Sequence, residues 1–172
     1  AGLSLAPGEG LLVTGPPGAG KTSLLRALVG LVPAGGAIRV LGAPPGAPVT
    51  RRRLGYGPGG DGYARDLTLR EAVAAVAALR GGGPAAAAGA LERAGLTLVA
   101  GLRTERLDEE GFRRLSLALA VACDPDLVVL DDAVPLPETI DEVRAARARG
   151  AAVIAAAEGP AGLAHALGGR LA

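Results

Sequence analysis

Gly15-Pro16-Pro17-Gly18-Ala19-Gly20-Lys21-Thr22 is the stretch on which the reading of this chain turns. It fits the pattern G-x-x-x-x-G-K-[ST], the P-loop. Leu11-Leu12-Val13 ahead of it reads as a buried strand. Thr22 to Gly30 behind it, with Leu24, Leu25 and Leu28 at helical spacing, reads as a helix. A glycine-rich turn between strand and helix lets the backbone curl until successive N–H groups converge on an anion. The helix start adds the favourable end of its dipole. Lys21 brings a mobile positive charge for the outer phosphates, and the Thr22 hydroxyl can ligate Mg²⁺. We therefore expect Gly15, Pro16, Pro17, Gly18, Ala19, Gly20, Lys21, Thr22 and Ser23 to form a phosphate cradle. Lys21 is the one lysine among 18 basic residues, the rest being arginine, whose planar fork suits so small a cradle poorly.

The whole chain has 172 residues, the size of one ordinary domain, and 49% hydrophobic with 20% charged residues can bury a core. A net charge of +1 nominates no nucleic-acid partner. One cysteine, Cys123, excludes an internal disulfide framework, and one histidine, His165, excludes a multi-histidine metal site. The sequence contains no Met, Trp, Asn or Gln, so chemistry that needs a side-chain amide is missing. The opening at Ala1 suggests an excised domain or processed chain. No run approaches the roughly 18 consecutive apolar residues of a membrane span, and the first residues lack the pattern of a signal peptide.

Outward from the P-loop, short apolar runs alternate with helical patterns. Ala37 to Leu41, Leu54 to Gly57, Leu127 to Leu130 and Ala151 to Ala155 read as strands. Leu69 to Leu79, Ala85 to Ala94, Glu109 to Cys123 and Ile140 to Arg149 read as helices, with Gly81-Gly82-Gly83-Pro84 as a breaker. This alternation predicts an α/β fold with a mostly parallel sheet flanked by helices. The helical middle, 61–122, reads as an insertion into a core formed by 1–60 and 123–172. Leu127-Val128-Val129-Leu130-Asp131 supplies a second element of a phosphate site: an acidic residue at the tip of a neighbouring apolar strand, placed to hold the water shell of Mg²⁺.

These residues sit in a frame that resembles the nucleotide-binding domain of ATP-binding cassette (ABC) transporters. The resemblance covers nearly the whole chain. Leu5-Ala6-Pro7-Gly8-Glu9 and the stretch through Leu31 are similar to that family's surroundings of the P-loop, and Gly36 to Gly42 to the strand that follows. Leu54-Gly55-Tyr56-Gly57-Pro58 resembles the approach to its glutamine loop, and Asp66-Leu67-Thr68-Leu69-Arg70-Glu71 the start of its helical subdomain. Arg114 to Ala120, then Asp124-Pro125-Asp126 and the strand to Asp131, resemble its run from the signature helix to the Walker B motif. The resemblance implies a P-loop NTPase fold with an inserted ABC-type helical subdomain, cut short at both ends, and ATP with Mg²⁺ as ligands. The partners it implies are another ABC nucleotide-binding domain, identical or not, and membrane-spanning transporter subunits. The implied location is cytoplasmic, at the cytoplasmic face of the inner membrane when part of a complex.

The departures from that family are specific. Its glutamine aligns with Gly59, and its Leu-Ser-Gly-Gly-Gln signature with Leu107-Asp108-Glu109-Glu110-Gly111. The glutamate that polarises the attacking water aligns with Asp132, the loop that meets the partner with Pro135 to Glu138, and the switch histidine with Glu158. The aromatic residue that stacks on adenine would lie upstream of Ala1. Asp132 remains the candidate for water positioning, one methylene shorter than glutamate. The acidic run at 108–110 reads as favourable charge at a helix start, and does not suit a partner's γ-phosphate. The sequence thus predicts Mg-ATP binding with weak hydrolysis. A non-hydrolytic module that regulates a competent partner is the alternative, and another P-loop NTPase or kinase a minor one. Arg51-Arg52-Arg53 reads as a solvated face, Tyr56 as packing at the sheet edge, Cys123 as a small core residue, and Tyr63 as a possible partner-facing mark.

Overall fold

The computed structural model describes residues 4–33, 35–60, 66–159 and 162–169. Tyr63, the first residues of the expected helical insertion and both chain ends lie outside them. Among the described residues, four strands form one sheet: β1 (Gly10–Thr14), β2 (Leu54–Gly57), β3 (Leu127–Leu130) and β4 (Ala152–Ala157). All pair in parallel, in the order β1-β4-β3-β2. A parallel sheet needs cover on both faces, and the strands are accordingly apolar on both. Leu11, Val13, Val129 and Ile154 face one apolar cluster together with Leu25 of α1 (Lys21–Leu28). Leu12, Val128, Leu130 and Val153 face the other, larger cluster, which the helices that follow β2 complete.

Those helices are α3 (Leu69–Leu79), α4 (Pro84–Arg93), α5 (Glu109–Val121), α6 (Pro137–Ala148) and the short α7 (Leu163–Ala166), after a brief α2 (Pro48–Arg53) on the way to β2. Local chemistry sets their ends. Thr68 and Glu71 form a reciprocal capping box at the start of α3, and Pro84 and Pro137 each begin a helix where no N–H is needed. Asp108 caps α5 by accepting the Gly111 N–H at 2.8 Å. Its far end is closed from outside: Arg80 Nη1 donates to the carbonyls of Leu119 and Ala122 at 2.9 Å, and Arg93 Nη2 to that of Val121 at 2.8 Å. Burial holds the Arg80 guanidinium below its usual pKa.

The structure corrects two expectations. Ala37 to Leu41 is not a strand; it carries only an isolated antiparallel bridge between Val40 and Ala43. Leu41 and Gly42 both have positive φ, at 51° and 82°, so the chain reverses at once. Pro44 and Pro45 follow and cannot donate to a ladder. The second correction concerns neighbours. The strand ending at Asp131 is not adjacent to the P-loop strand, because β4 lies between β1 and β3. Arg51, Arg52 and Arg53 are exposed on α2, a helix the sequence reading did not foresee, and Arg53 Nε pairs with Asp126 at 2.6 Å.

Parallel strands place all their C-terminal ends along one sheet edge. The segments leaving that edge are Gly15 onward, Pro58-Gly59, Asp131-Asp132 and Glu158. In open sheets of this kind ligands bind beyond the carboxyl ends of the strands.

Candidate functional site

The loop from Gly15 to Gly20 leaves β1 and returns into α1 with Gly20 as N-cap. Gly18 and Gly20 have φ of 81° and 89°, conformations that side-chain-bearing residues rarely adopt. A Cβ at either would meet nothing within 4 Å, so the requirement there is conformational, not steric. Pro16 to Gly20 are exposed, with their backbone open to a ligand. Lys21, the first residue of α1, bends back over the loop: its Nζ donates to the Gly15 carbonyl at 2.6 Å and to that of Pro16 at 3.1 Å. The ammonium is thus tethered at the mouth of the cradle. Ser23 is exposed in the same first turn.

Thr22 points across the end of β4 to β3. Its Oγ1 donates to Asp131 Oδ1 at 3.1 Å, joining residues 109 positions apart in sequence. Asp131 is 5% exposed, and its Oδ2 is buried without a hydrogen-bond partner. A buried carboxylate oxygen left unpaired is costly unless something binds it. A hydroxyl and a carboxylate beside a phosphate cradle are the hard oxygen donors that Mg²⁺ takes when it also carries phosphates and water. The residues therefore fit a magnesium ion accompanying a polyphosphate, with Thr22 and Asp131 as its protein-side groups. The charge of Asp131 is felt at Tyr56 on β2, whose hydroxyl is pushed above its ordinary pKa by burial first and Asp131 second, with Arg26 opposing.

Asp132 follows in an unusual conformation, with φ at 52°, and its N–H donates to Asp131 Oδ1 at 3.1 Å. Its Oδ2 lies 3.9 Å from Arg113 Nη2. Both residues line a cleft of about 370 Å³ between Pro58–Gly60, the start of α5 and the segment after β3; Asp131 lines it too, and none of residues 15–23 does. Gly59, aligned with the family's glutamine, is packed against Asp132: a Cβ at 59 would stand 2.9 Å from Asp132 Cβ. Glu158 is exposed beyond β4, and His165 is exposed on α7. Asp108 is committed to its cap, while Glu109 and Glu110 pair with Arg113 and Arg114 one turn on, at 2.6 and 2.8 Å. Tyr56 is half-buried on β2, the last strand in the sheet order, and Cys123 is part-buried with its Sγ 3.6 Å from the Ala77 carbonyl oxygen.

The sequence reading missed Arg113. The spacing of Glu109 and Arg113 would have marked a helix-face ion pair; no local pattern announces that Asp132 lies beside it.

A parallel sheet with a glycine-rich loop at one strand end, a lysine tethered over it, and a threonine bonded to a buried aspartate from a second strand define a P-loop nucleoside-triphosphate-binding domain. Comparison with known proteins narrows the class. The model of the family described as ABC transporter matches residues 1–135. A zinc import ATP-binding protein of Roseobacter denitrificans is 41% identical over 76% of this chain and 48% of its own length. A cytochrome c biogenesis ATP-binding export protein of Rhodopseudomonas palustris is 34% identical over 95% of this chain and 84% of its own. A dimeric ATP-binding cassette in a post-hydrolysis state with ADP and phosphate superposes with a TM-score of 0.81 at 19% identity, over 91% of this chain and 78% of that one. The chain belongs to the ABC transporter family. It spans about half the length of several of the curated relatives it matches.

Proposed function

We propose that this chain is the ATP-binding part of an ABC transporter, holding Mg-ATP on the Gly15–Ser23 loop and hydrolysing it weakly. One observation carries the binding half: Thr22 and Asp131, from distant parts of the sequence, meet at 3.1 Å beside the loop, and Asp131 keeps a buried oxygen unpaired. Backbone N–H groups and Lys21 would take the phosphates. Magnesium, when bound, would neutralise phosphate charge, with Thr22 and Asp131 as its protein-side groups. Asp132 is the group that would orient the attacking water.

Weak turnover is supported by the residues that stand at the family's catalytic positions. Gly59 offers no side chain, Glu158 is exposed and acidic, and Asp108 is occupied in capping α5. Asp132 itself leans toward Arg113. The same observations favour, as a second reading, a module that holds ATP and regulates a competent partner. Relatives named for zinc import and for cytochrome c biogenesis export differ in cargo, and in this reading cargo choice rests with membrane-spanning subunits. The partner across the nucleotide would be another ABC nucleotide-binding domain, at the cytoplasmic face of the membrane. Among the described residues no helix is long and apolar enough to cross a membrane. We assign residues 61–122 to a helical subdomain inserted into a core of 1–60 and 123–172.

Equilibrium binding of Mg-ATP by calorimetry tests this. The chain is expected to bind, and Lys21→Ala to lose roughly tenfold or more in affinity, the scale of one charge-assisted contact to phosphate. Equal affinity in both proteins would remove the cradle from the account. Single-turnover phosphate release then separates the two readings: slow release supports a weak hydrolase, none a binding module.

A further inference from the structure

Arg113 is a charged group beside the site that takes no part in the proposed nucleotide contacts. It projects from the first turns of α5, and its Nη2 stands between two carboxylates, 2.6 Å from Glu109 Oε1 and 3.9 Å from Asp132 Oδ2. Its Nε is buried with no hydrogen-bond partner. Asp132 is delivered to it by the left-handed backbone, by its own N–H bond to Asp131, and by contact over Gly59. Glu109 is 80% exposed and Asp132 56%, so neither pair contributes much to stability. Rate is more sensitive than stability to such a contact, because a misplaced catalytic group loses turnover out of proportion to its displacement.

We propose that Arg113 is a positioning residue that draws the Asp132 carboxylate toward α5, and so slows turnover; Glu109 competes for the same guanidinium and moderates the effect. The inference rests on the reading of the chain as a Mg-ATP binder. The step it governs is the attack of water on the γ-phosphorus. A new P–O bond forms as the bond to the β–γ bridging oxygen breaks. ADP leaves with that electron pair, and the water's proton passes to the Asp132 carboxylate before release to solvent. A carboxylate held toward α5 is poorly placed to receive it.

The two arms of the pair give opposite signs, which a merely structural role does not. Arg113→Gln frees Asp132 and is expected to raise single-turnover hydrolysis about tenfold, with Mg-ATP affinity unchanged. Glu109→Gln leaves Asp132 as the sole carboxylate partner and is expected to lower it. The gain must flow through Asp132, so the double variant Arg113→Gln, Asp132→Asn is expected to show none. A crystal structure of nucleotide-free Arg113→Gln reads the geometry without any turnover: the Asp132 carboxylate is expected to move away from α5. Unchanged or slower hydrolysis in Arg113→Gln at intact ATP affinity overturns the inference alone. So does a gain that survives Asp132→Asn, or a carboxylate that stays in place. Loss of Mg-ATP binding by the unmodified chain overturns the reading beneath it, and the inference with it.

Discussion

At the scale of single residues, Thr22 is the most informative position, because its hydroxyl belongs at once to the P-loop helix and to the Asp131 contact. Replacing it with valine keeps the volume and removes the donor. Asp131 Oδ1 still accepts the Asp132 N–H, so folding is expected to survive. The response to metal is not. The unmodified chain should bind ATP roughly tenfold more tightly with Mg²⁺ than with a chelator, and Thr22→Val should show little difference between the two, since one hard ligand of the ion is gone. Titration with and without Mg²⁺ checks this. The sequence singles out Thr22, Lys21 and Asp131 because local pattern marks each, as a loop, a helix start or a strand tip, and the structure brings Thr22 to Asp131. Asp132 was legible as a position, but not its partner Arg113 nor its positive φ. Those arise where two segments distant in sequence are packed together, and neither segment carries a pattern that names the other.

At the scale of elements, α5 packed on β2 decides how closely the site's two sides approach. Gly55 and Gly57 stand on the same face of β2, against Ala120 and Ser116, one helical turn apart on α5. A Cβ at Gly57 would lie 2.5 Å from the Ser116 carbonyl oxygen; one at Gly55 would run into that of Ala120 and come within 2.8 Å of Pro125 Cγ. The nearest obstacle in each case is backbone, which cannot rotate aside. Gly55→Ala is therefore expected to cost about 3 kcal/mol or more, at the upper end for overpacking. In a domain of this size that lowers the melting temperature by roughly 6–12 °C, readable by calorimetry. The sequence showed glycines at 55 and 57 but gave them no task, since a strand glycine marks a close approach without saying what approaches. The mistaken strand at 37–41 has the opposite cause. Its apolar residues Ile38 and Val40 do pack into a cluster, and burial alone reproduced a strand's pattern where the positive φ at Leu41 and Gly42 forbade a ladder. Sheet order escaped for a third reason: apolar runs locate parallel strands, and no run says that β4 lies between β1 and β3.

At the scale of the whole molecule, the parallel sheet divides its labour between two ends. The carboxyl ends carry the proposed phosphate site. Toward the amino ends, Asp124 in the turn between α5 and β3 accepts Arg93 of α4 at 2.8 Å and Arg149 beyond α6 at 3.2 Å, and Glu142 of α6 sits 3.6 Å from Arg93 Nε. Glu142 is buried, and its Oε2, the oxygen facing Arg93, accepts no hydrogen bond. Burial raises its pKa above the ordinary value. Arg93 and Arg149 oppose the shift, while Asp124 and Asp141 add to it. A raised carboxyl pKa means the folded protein holds this proton more tightly than the unfolded chain. Stability must then fall as pH rises from the unfolded pKa, near 4.5, through the raised folded value, and stay lowered above it. Glu142→Gln cannot ionise and escapes that loss. It is expected to melt higher than the unmodified chain at pH 7, with the gap closing as pH falls toward 4, where both forms are neutral at this position. A gap independent of pH would assign the effect to packing. A variant less stable at pH 7 would show that Arg93 and Arg149 outweigh the burial, making the cluster a favourable clamp between α4 and α6. Because the cluster lies at the end of the sheet away from the cradle, Mg-ATP affinity should not follow either outcome, and measuring both on one variant tests whether the two ends act independently.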